Sequence, residues 1–399
     1  MIKIIYGSAE FGGTETCILK IAKELCKQGI ENSVYFSSIN SGLKQLFDAA
    51  GIVINVCGPN VLKKLCNSLN DKDVVLTFNI YEYFQLVFLM NKNRTNCKIY
   101  NYVVHPYWLE YSTKNKFLST ITKNSYLQDI RNNVNSGGIF FMDNQTLDYN
   151  FELFGYDMEI ARKNLLLLPL DNQVVLENEF KKRAINRHHS FKILSIARAE
   201  FPFKAYLLGL VNFVARYNLS HEKKLELTII SHGRDYVKLV NLVKSHNDSN
   251  IHLINGVNYD SLGYYYKNSS LYIGMGSTIL ESANYGGICI PIEMYTSECL
   301  GNGFFSDYPE NIVVDVGMGK MIDDLVNTVI ECRDDEYIKM EIESKRAFEK
   351  YYSVSKFVDT LFSSRCERNN CNISYKTYIY SIYKYREIKK GYKLRGKEG

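Results

Sequence analysis

The chain opens on an apolar run at residues 2–6, followed by a glycine-bearing stretch that ends at Gly13. Over 14–28 the apolar residues Ile18, Leu19, Ile21, Ala22 and Leu25 recur at helical spacing, and the next strand is expected at 32–36. Strand, Gly-rich turn, helix and strand in that order form the opening βαβ unit of a doubly wound sheet. The alternation continues with strands expected at 53–56, 74–77 and 99–104 and a helix at 61–69. The pattern weakens over 132–170, where the apolar Ile139-Phe140-Phe141-Met142 reads as a strand. Residues 177–190 are polar and charged and read as an inter-domain linker. From Phe191 a second series begins, with strands at 192–196, 225–231, 271–273 and 288–291. Helices are expected at 205–217, 235–245, 279–285, 321–331 and 336–351. The pattern predicts an α/β protein of two doubly wound parallel-sheet domains, facing each other across a cleft lined by the C-terminal ends of their strands. The boundaries read as 1–185 and 186–335, with closing helices over 336–365 and a basic, Tyr-rich tail over 366–399.

Length agrees with two domains, since 399 residues exceed what one compact core organises. The net charge of +5 is uneven. From Cys366 onward nine Lys or Arg face three Glu, a net +6, so the first 365 residues sum to −1. The excess therefore belongs to the tail and not to a nucleic-acid-binding face. Ten Cys are scattered with no C-x-x-C pair, which points to a reduced compartment. The first apolar run is too short for a signal peptide, and no run approaches the ~20 apolar residues of a membrane span. A cytoplasmic location follows as the expectation. In the tail, Tyr375, Tyr378, Ile379, Ile382, Tyr383 and Ile388 fall roughly on one helical face among many cations. Such a helix suits either an anionic membrane surface, giving peripheral attachment, or packing on the body.

Three segments carry candidate chemistry. In the first, Gly12 and Gly13 let backbone approach a ligand where a strand runs into a helix whose free N–H groups suit an anion. A plain tight turn explains them equally well. This is not G-x-G-x-x-G, so no dinucleotide cofactor is expected. In the second, Arg198 lies just past a strand with Lys204 six residues on. A guanidinium fork and an ammonium there would neutralise a diphosphate leaving group. In the third, Gly274-Met275-Gly276-Ser277-Thr278 is another Gly-rich turn into a helix. The N–H groups around Gly276 and the hydroxyls of Ser277 and Thr278 suit phosphate oxygens. Glu281, one turn further, would accept hydrogen bonds from ribose hydroxyls, or else is simply an acid favoured by the helix dipole.

At these residues the sequence resembles the GT-B-fold glycosyltransferases, specifically the retaining family 4. Gly12, Gly13 and Glu15 resemble that family's opening motif, and Ala22-Lys23-Glu24-Leu25 the helix that follows it. Arg198 and Lys204 are similar to its donor motif, with Ala197 in place of the usual Gly. Ile229 to Gly233 and the segment from Gly274 to Pro291 resemble its later motifs, and residues 346–362 its closing helices. The resemblance implies that Arg198 and Lys204 hold the donor diphosphate, that Glu281 holds the ribose, and that Gly12 and Gly13 line the cleft. It also implies that His105, in Val103-Val104-His105-Pro106, lies beside the transferred sugar. The family's first Glu, eight residues before Glu281, is replaced by Ile273.

The function so implied is metal-independent, cofactor-free hexosyl transfer with retention. The donor is a nucleotide sugar and the acceptor a glycan or lipid-linked sugar of bacterial surface polysaccharide or lipopolysaccharide. Two other functions stay open: a UDP-sugar 2-epimerase-like isomerase, and a non-catalytic sugar-nucleotide or glycan-binding subunit. Asp71-Lys72-Asp73 spells a metal motif of a different transferase fold but reads here as a turn. His188-His189 reads as solvated, with no acidic partner nearby in sequence.

Overall fold

The computed structural model describes residues 1–399 apart from 10–12, 259–260, 315, 364–370 and 396–399. Two compact units emerge, Met1–Pro169 with Val354–Gly399, and Leu170–Ser353.

The first unit holds a parallel sheet of six strands, β1 (Ile2–Ala9), β2 (Asn32–Ile39), β3 (Ile54–Val56), β4 (Val74–Thr77), β5 (Lys98–Val103) and β6 (Ile139–Phe141). Their order is β3-β2-β1-β4-β5-β6. Alternation along each strand feeds two cores. Ile4, Val34, Leu76 and Tyr100 stand in register and face one side, against the helix Gly13–Lys27 and the late helix Val354–Ser363. Ile5, Tyr35, Val75 and Ile99 face the other, against the helices Ile80–Asn93 and Lys116–Asn135. A sheet buried on both faces explains why its strands read as nearly continuous apolar runs.

The second unit holds β7 (Phe191–Ile196), β8 (Leu225–Ser231), β9 (Ile251–Asn255), β10 (Leu271–Gly274) and β11 (Cys289–Pro291) in the order β11-β10-β7-β8-β9, again parallel. Each unit is thus doubly wound, and in each the chain reverses direction beside its first strand. Those reversal points are β1/β4 and β7/β10.

Three expectations change. The charged stretch over 177–190 is not a linker but a helix, Glu177–His189, with acids in its first turn and cations in its last. Its polar look hides two buried arginines. Arg183 pairs with the buried Glu341, and Arg187, 1% exposed, donates to the Val329 and Ile330 carbonyls and to Asp334. His188 does meet an acid, Asp334, at 2.7 Å. The chain passes between the units at Pro169/Leu170 and Ser353/Val354, so the two closing helices fall in different units. The tail forms a helix, Tyr375–Arg395, packed on the helices Ile80–Asn93 and Lys116–Asn135 of the first unit. Among its described side chains, Thr377, Tyr380, Ser381 and Tyr385 are buried, whereas Tyr375 and Ile379 are exposed. Two small hydroxyl residues let the helix sit close, a spacing that apolar periodicity alone does not mark. No described helix is long and apolar enough to cross a membrane.

Candidate functional site

In doubly wound sheets, ligands bind beyond the strand C-termini at the reversal point. In the second unit that point lies between β7 and β10. Tyr272 ties the two strands there. Its buried phenol donates to the Ile196 carbonyl and accepts from the Ile196 N–H, both at 3.2 Å. Gly274, at the end of β10, has no room for a side chain, since a Cβ would lie 2.9 Å from the Tyr272 ring.

The loop after β7 carries Arg198 and Lys204. Arg198 is exposed and pairs with Glu200 at 3.2 Å, an exposed pair that adds little stability and leaves the guanidinium free to re-pair. Lys204 is half-buried. Burial, and then the charge of Arg198, hold its ammonium below the ordinary lysine range, with Glu200 opposing. The fold thus holds two cations against one carboxylate, an arrangement that a bound anion would relieve. The neighbouring loop after β8 holds this one in place. Ala199 N–H donates to the His232 carbonyl at 2.7 Å, and Asp235 N–H to the Ala199 carbonyl at 2.9 Å. The Asp235 carboxylate accepts from Phe201 N–H at 2.9 Å and from Lys238 at 2.8 Å. Its bonds to Lys238 and Phe201 lower its pKa to about 2. Gly233, at φ +120°, approaches Ala199 closely enough that a Cβ would meet the Ala199 carbonyl at 3.1 Å.

Beyond β10, the helix Ser277–Asn284 begins after only Met275 and Gly276. Gly276 adopts φ 69°, ψ −147°, a conformation that favours glycine, and no side chain caps the helix start. Ser277 is exposed. Thr278 turns its hydroxyl inward to the Met275 carbonyl at 3.0 Å. Glu281 is half-buried and accepts from Tyr266 at 3.4 Å. Ile273 is 0% exposed within β10, and a two-residue turn leaves no loop position for an acid in its place. A separate cavity of about 360 Å³, lined by Lys182, Lys192 and Lys267 among others, lies at the opposite, N-terminal ends of β7 and β10.

The reversal point of the first unit is different. Gly12 lies outside the described residues, and Gly13 opens its helix with open space around the Cβ position. Between the strand ends sits a buried polar group. Glu82, 0% exposed, accepts from Tyr385 of the last helix at 3.0 Å, and Tyr385 meets Ser37 at 3.4 Å. Gly7 lies against them, with Glu82 Oε1 at 3.2 Å from its Cβ position. His105 stands past the end of β5, exposed, and its Nδ1 accepts from Tyr107 N–H at 3.3 Å. Sequence reasoning brought Arg198, Lys204, Gly276, Ser277, Thr278 and Glu281 to one unit, while His105 and Gly13 lie in the other. It missed Glu200, Asp235 and Glu82. Glu82 had a signal, being the single acid in the apolar run of Ile80–Asn93.

With both sheets and their reversal points described, the architecture matches solved structures over nearly its whole length. HepE of Anabaena, solved with UDP and glucose, superposes with a TM-score of 0.57 at 15% identity, covering 91% of this chain and 99% of that one. A glycosyltransferase from Rickettsia africae gives 0.57 at 14% identity, with the same coverage. Trehalose-6-phosphate synthase OtsA gives 0.53 at 10% identity, again over 91% and 99%. The chain has the GT-B fold of these glycosyltransferases. At the level of sequence, no protein-family model and no curated protein matches it.

Proposed function

We propose that the chain is a glycosyltransferase that takes a sugar from a nucleotide-sugar donor. The observation that carries this is the pairing of Arg198 and Lys204 beyond β7 with the uncapped, glycine-led helix beyond β10, at the reversal point of the second sheet. Arg198 and Lys204 hold the diphosphate and stabilise the charge that develops as it leaves, the moment when such stabilisation lowers the barrier. The N–H groups following Gly276, with the Ser277 hydroxyl, receive phosphate oxygens, and Thr278 braces the turn. Glu281 accepts from the ribose. Arg198 and Lys204 supply the charge that a metal supplies in other transferases, so none is invoked.

The first unit takes the acceptor, a glycan or lipid-linked sugar, with His105 beside the sugar in transit. Retention of configuration, a hexosyl donor and a role in bacterial surface polysaccharide or lipopolysaccharide synthesis complete the reading, all by likeness to the family. A peripheral membrane position on the cytoplasmic side is consistent with the cations of the last helix. The buried Ile273, where the family has an acid, favours one other reading, a subunit that binds sugar nucleotide without turnover. A panel of radiolabelled UDP-, GDP-, ADP- and CMP-sugars, offered with lipid-extracted acceptors, separates the two. Label should pass to an acceptor with wild-type protein and not with Arg198→Ala. Tight binding of a donor without any transfer or hydrolysis would favour the binding subunit.

A further inference from the structure

The turn that carries His105 also carries a group of aromatic side chains that no step above uses. Residues Pro106–Leu109 form a single 3-10 turn beyond β5. Tyr107 is 56% exposed although it is a large aromatic, and Trp108, the single tryptophan of the chain, is half-buried beside it. The His105 ring lies 5.2 Å from Tyr107 and 6.2 Å from Trp108, and Tyr149 meets Tyr107 edge-on at 5.0 Å. Glu110 closes the group. One carboxylate oxygen accepts from the Tyr149 hydroxyl, and this bond pushes the Tyr149 pKa up to about 12, so the phenol remains a donor.

This surface is held from beneath. Buried Asn150 donates to the Pro106 carbonyl at 3.0 Å, and buried Tyr126 donates to the Leu109 carbonyl at 2.7 Å. Trp108 N–H returns to the His105 carbonyl at 3.1 Å, and Glu110 N–H to the Tyr107 carbonyl at 3.2 Å. A turn whose backbone is held by buried hydrogen bonds has given up backbone freedom before any ligand arrives, which lowers the entropic cost of binding. Their electron-rich faces attract the C–H faces of a pyranose, and a carboxylate at the edge accepts sugar hydroxyls.

We propose that Tyr107, Trp108, Tyr149 and Glu110 form a platform for a neutral pyranoside, the sugar of the acceptor that receives the transferred residue. A uronic or other acidic sugar is disfavoured there by the charge of Glu110. The proposal rests on the transferase reading, in which the first unit takes the acceptor, and it names what that unit recognises.

Trp108 makes the test direct, because all tryptophan emission comes from this turn. The protein is titrated with methyl glucosides, galactosides, mannosides and N-acetylglucosaminides, and with methyl glucuronide. At least one neutral glycoside should change the emission saturably. Tyr107→Ala should weaken that response about tenfold, equivalent to ~1.4 kcal/mol. Its exposed side chain leaves the melting temperature unchanged. Glu110→Gln should weaken it less and narrow the gap between neutral and acidic sugars, a change that a purely structural role would not produce. Emission that no glycoside alters overturns the platform, as does preference for the glucuronide. A response to anionic phospholipid vesicles alone overturns it too and marks a membrane contact. Nucleotide binding, measured separately, keeps the two ideas distinct. Nucleotide binding without a sugar response ends the platform alone, and a sugar response without nucleotide binding ends the transferase reading alone.

Discussion

The two units share a topology and differ at the point where that topology creates a crevice. In the first, the reversal point between β1 and β4 is occupied by the chain itself. Tyr385 of the last helix reaches Glu82 and Ser37, and Glu82 and Tyr385 pack against Gly7. In the second, the reversal point between β7 and β10 presents an exposed arginine, a lysine held below its ordinary pKa and an uncapped helix start. A doubly wound sheet offers a crevice but does not by itself assign a ligand. Among the described residues, one sheet sets a buried hydrogen-bonded cluster there, and the other sets an exposed arginine and a half-buried lysine beside a glycine-led helix start.

The largest expected effect comes from breaking the closed side. Tyr380 is fully buried on the last helix, stacked on Tyr111 at 4.5 Å and edge-on to Tyr126 at 5.2 Å, with its hydroxyl bonded to the Ser112 backbone. Tyr380→Ala should destabilise the first unit by about 3–5 kcal/mol. Denaturant unfolding would show one transition moved and the other in place, and nucleotide affinity under native conditions should not change. Equal shifts of both transitions would mean that the two units do not behave separately.

Gly276→Ala acts on the open side by a smaller amount. Nothing lies within 4 Å of the added Cβ, so the cost is backbone strain alone, about 1–3 kcal/mol at this φ and ψ. Thermal melts of the second unit should fall accordingly, and nucleotide binding should weaken with them. An unchanged melt would remove the argument that glycine is required to start this helix.

Asp235→Asn gives the smallest effect and a pH signature. The Asp235 carboxyl titrates near 2 when folded, against an ordinary 3.8, so between those values the unfolded chain binds more protons. Its stabilisation is therefore full above about pH 4 and is lost as pH falls toward 2. The variant should be less stable than wild type at neutral pH, and the gap should close in acid. A gap that stays constant with pH would show that the charge of Asp235 does not tie the two loops.

Much of this arrangement was legible in the sequence, for a definite reason. Strands buried on both faces read as apolar runs, and the residues after each run mark a strand's C-terminal end, so the sequence alone sets Arg198 and Gly276 just past the ends of β7 and β10. What the sequence hid was buried polarity. Arg183 and Arg187 made a packed helix look like a linker, because their partners, Glu341 and the carbonyls near Val329, lie more than a hundred residues away. Thr377 and Ser381 made the inner face of the last helix look like its outer one. Asp235 was passed over although it stands just beyond β8, because its role is to hold the neighbouring loop.

If the β7/β10 reversal point binds a nucleoside diphosphate, calorimetry will detect it. UDP, GDP, ADP and CMP are titrated into the wild type and into Arg198→Ala, whose exposed side chain can be removed without disturbing the core. One nucleotide should bind with micromolar affinity to the wild type and about 100-fold more weakly to the variant, a difference of ~2.7 kcal/mol. A folded wild-type protein that binds none of them, or a variant that binds as tightly as the wild type, would contradict the account.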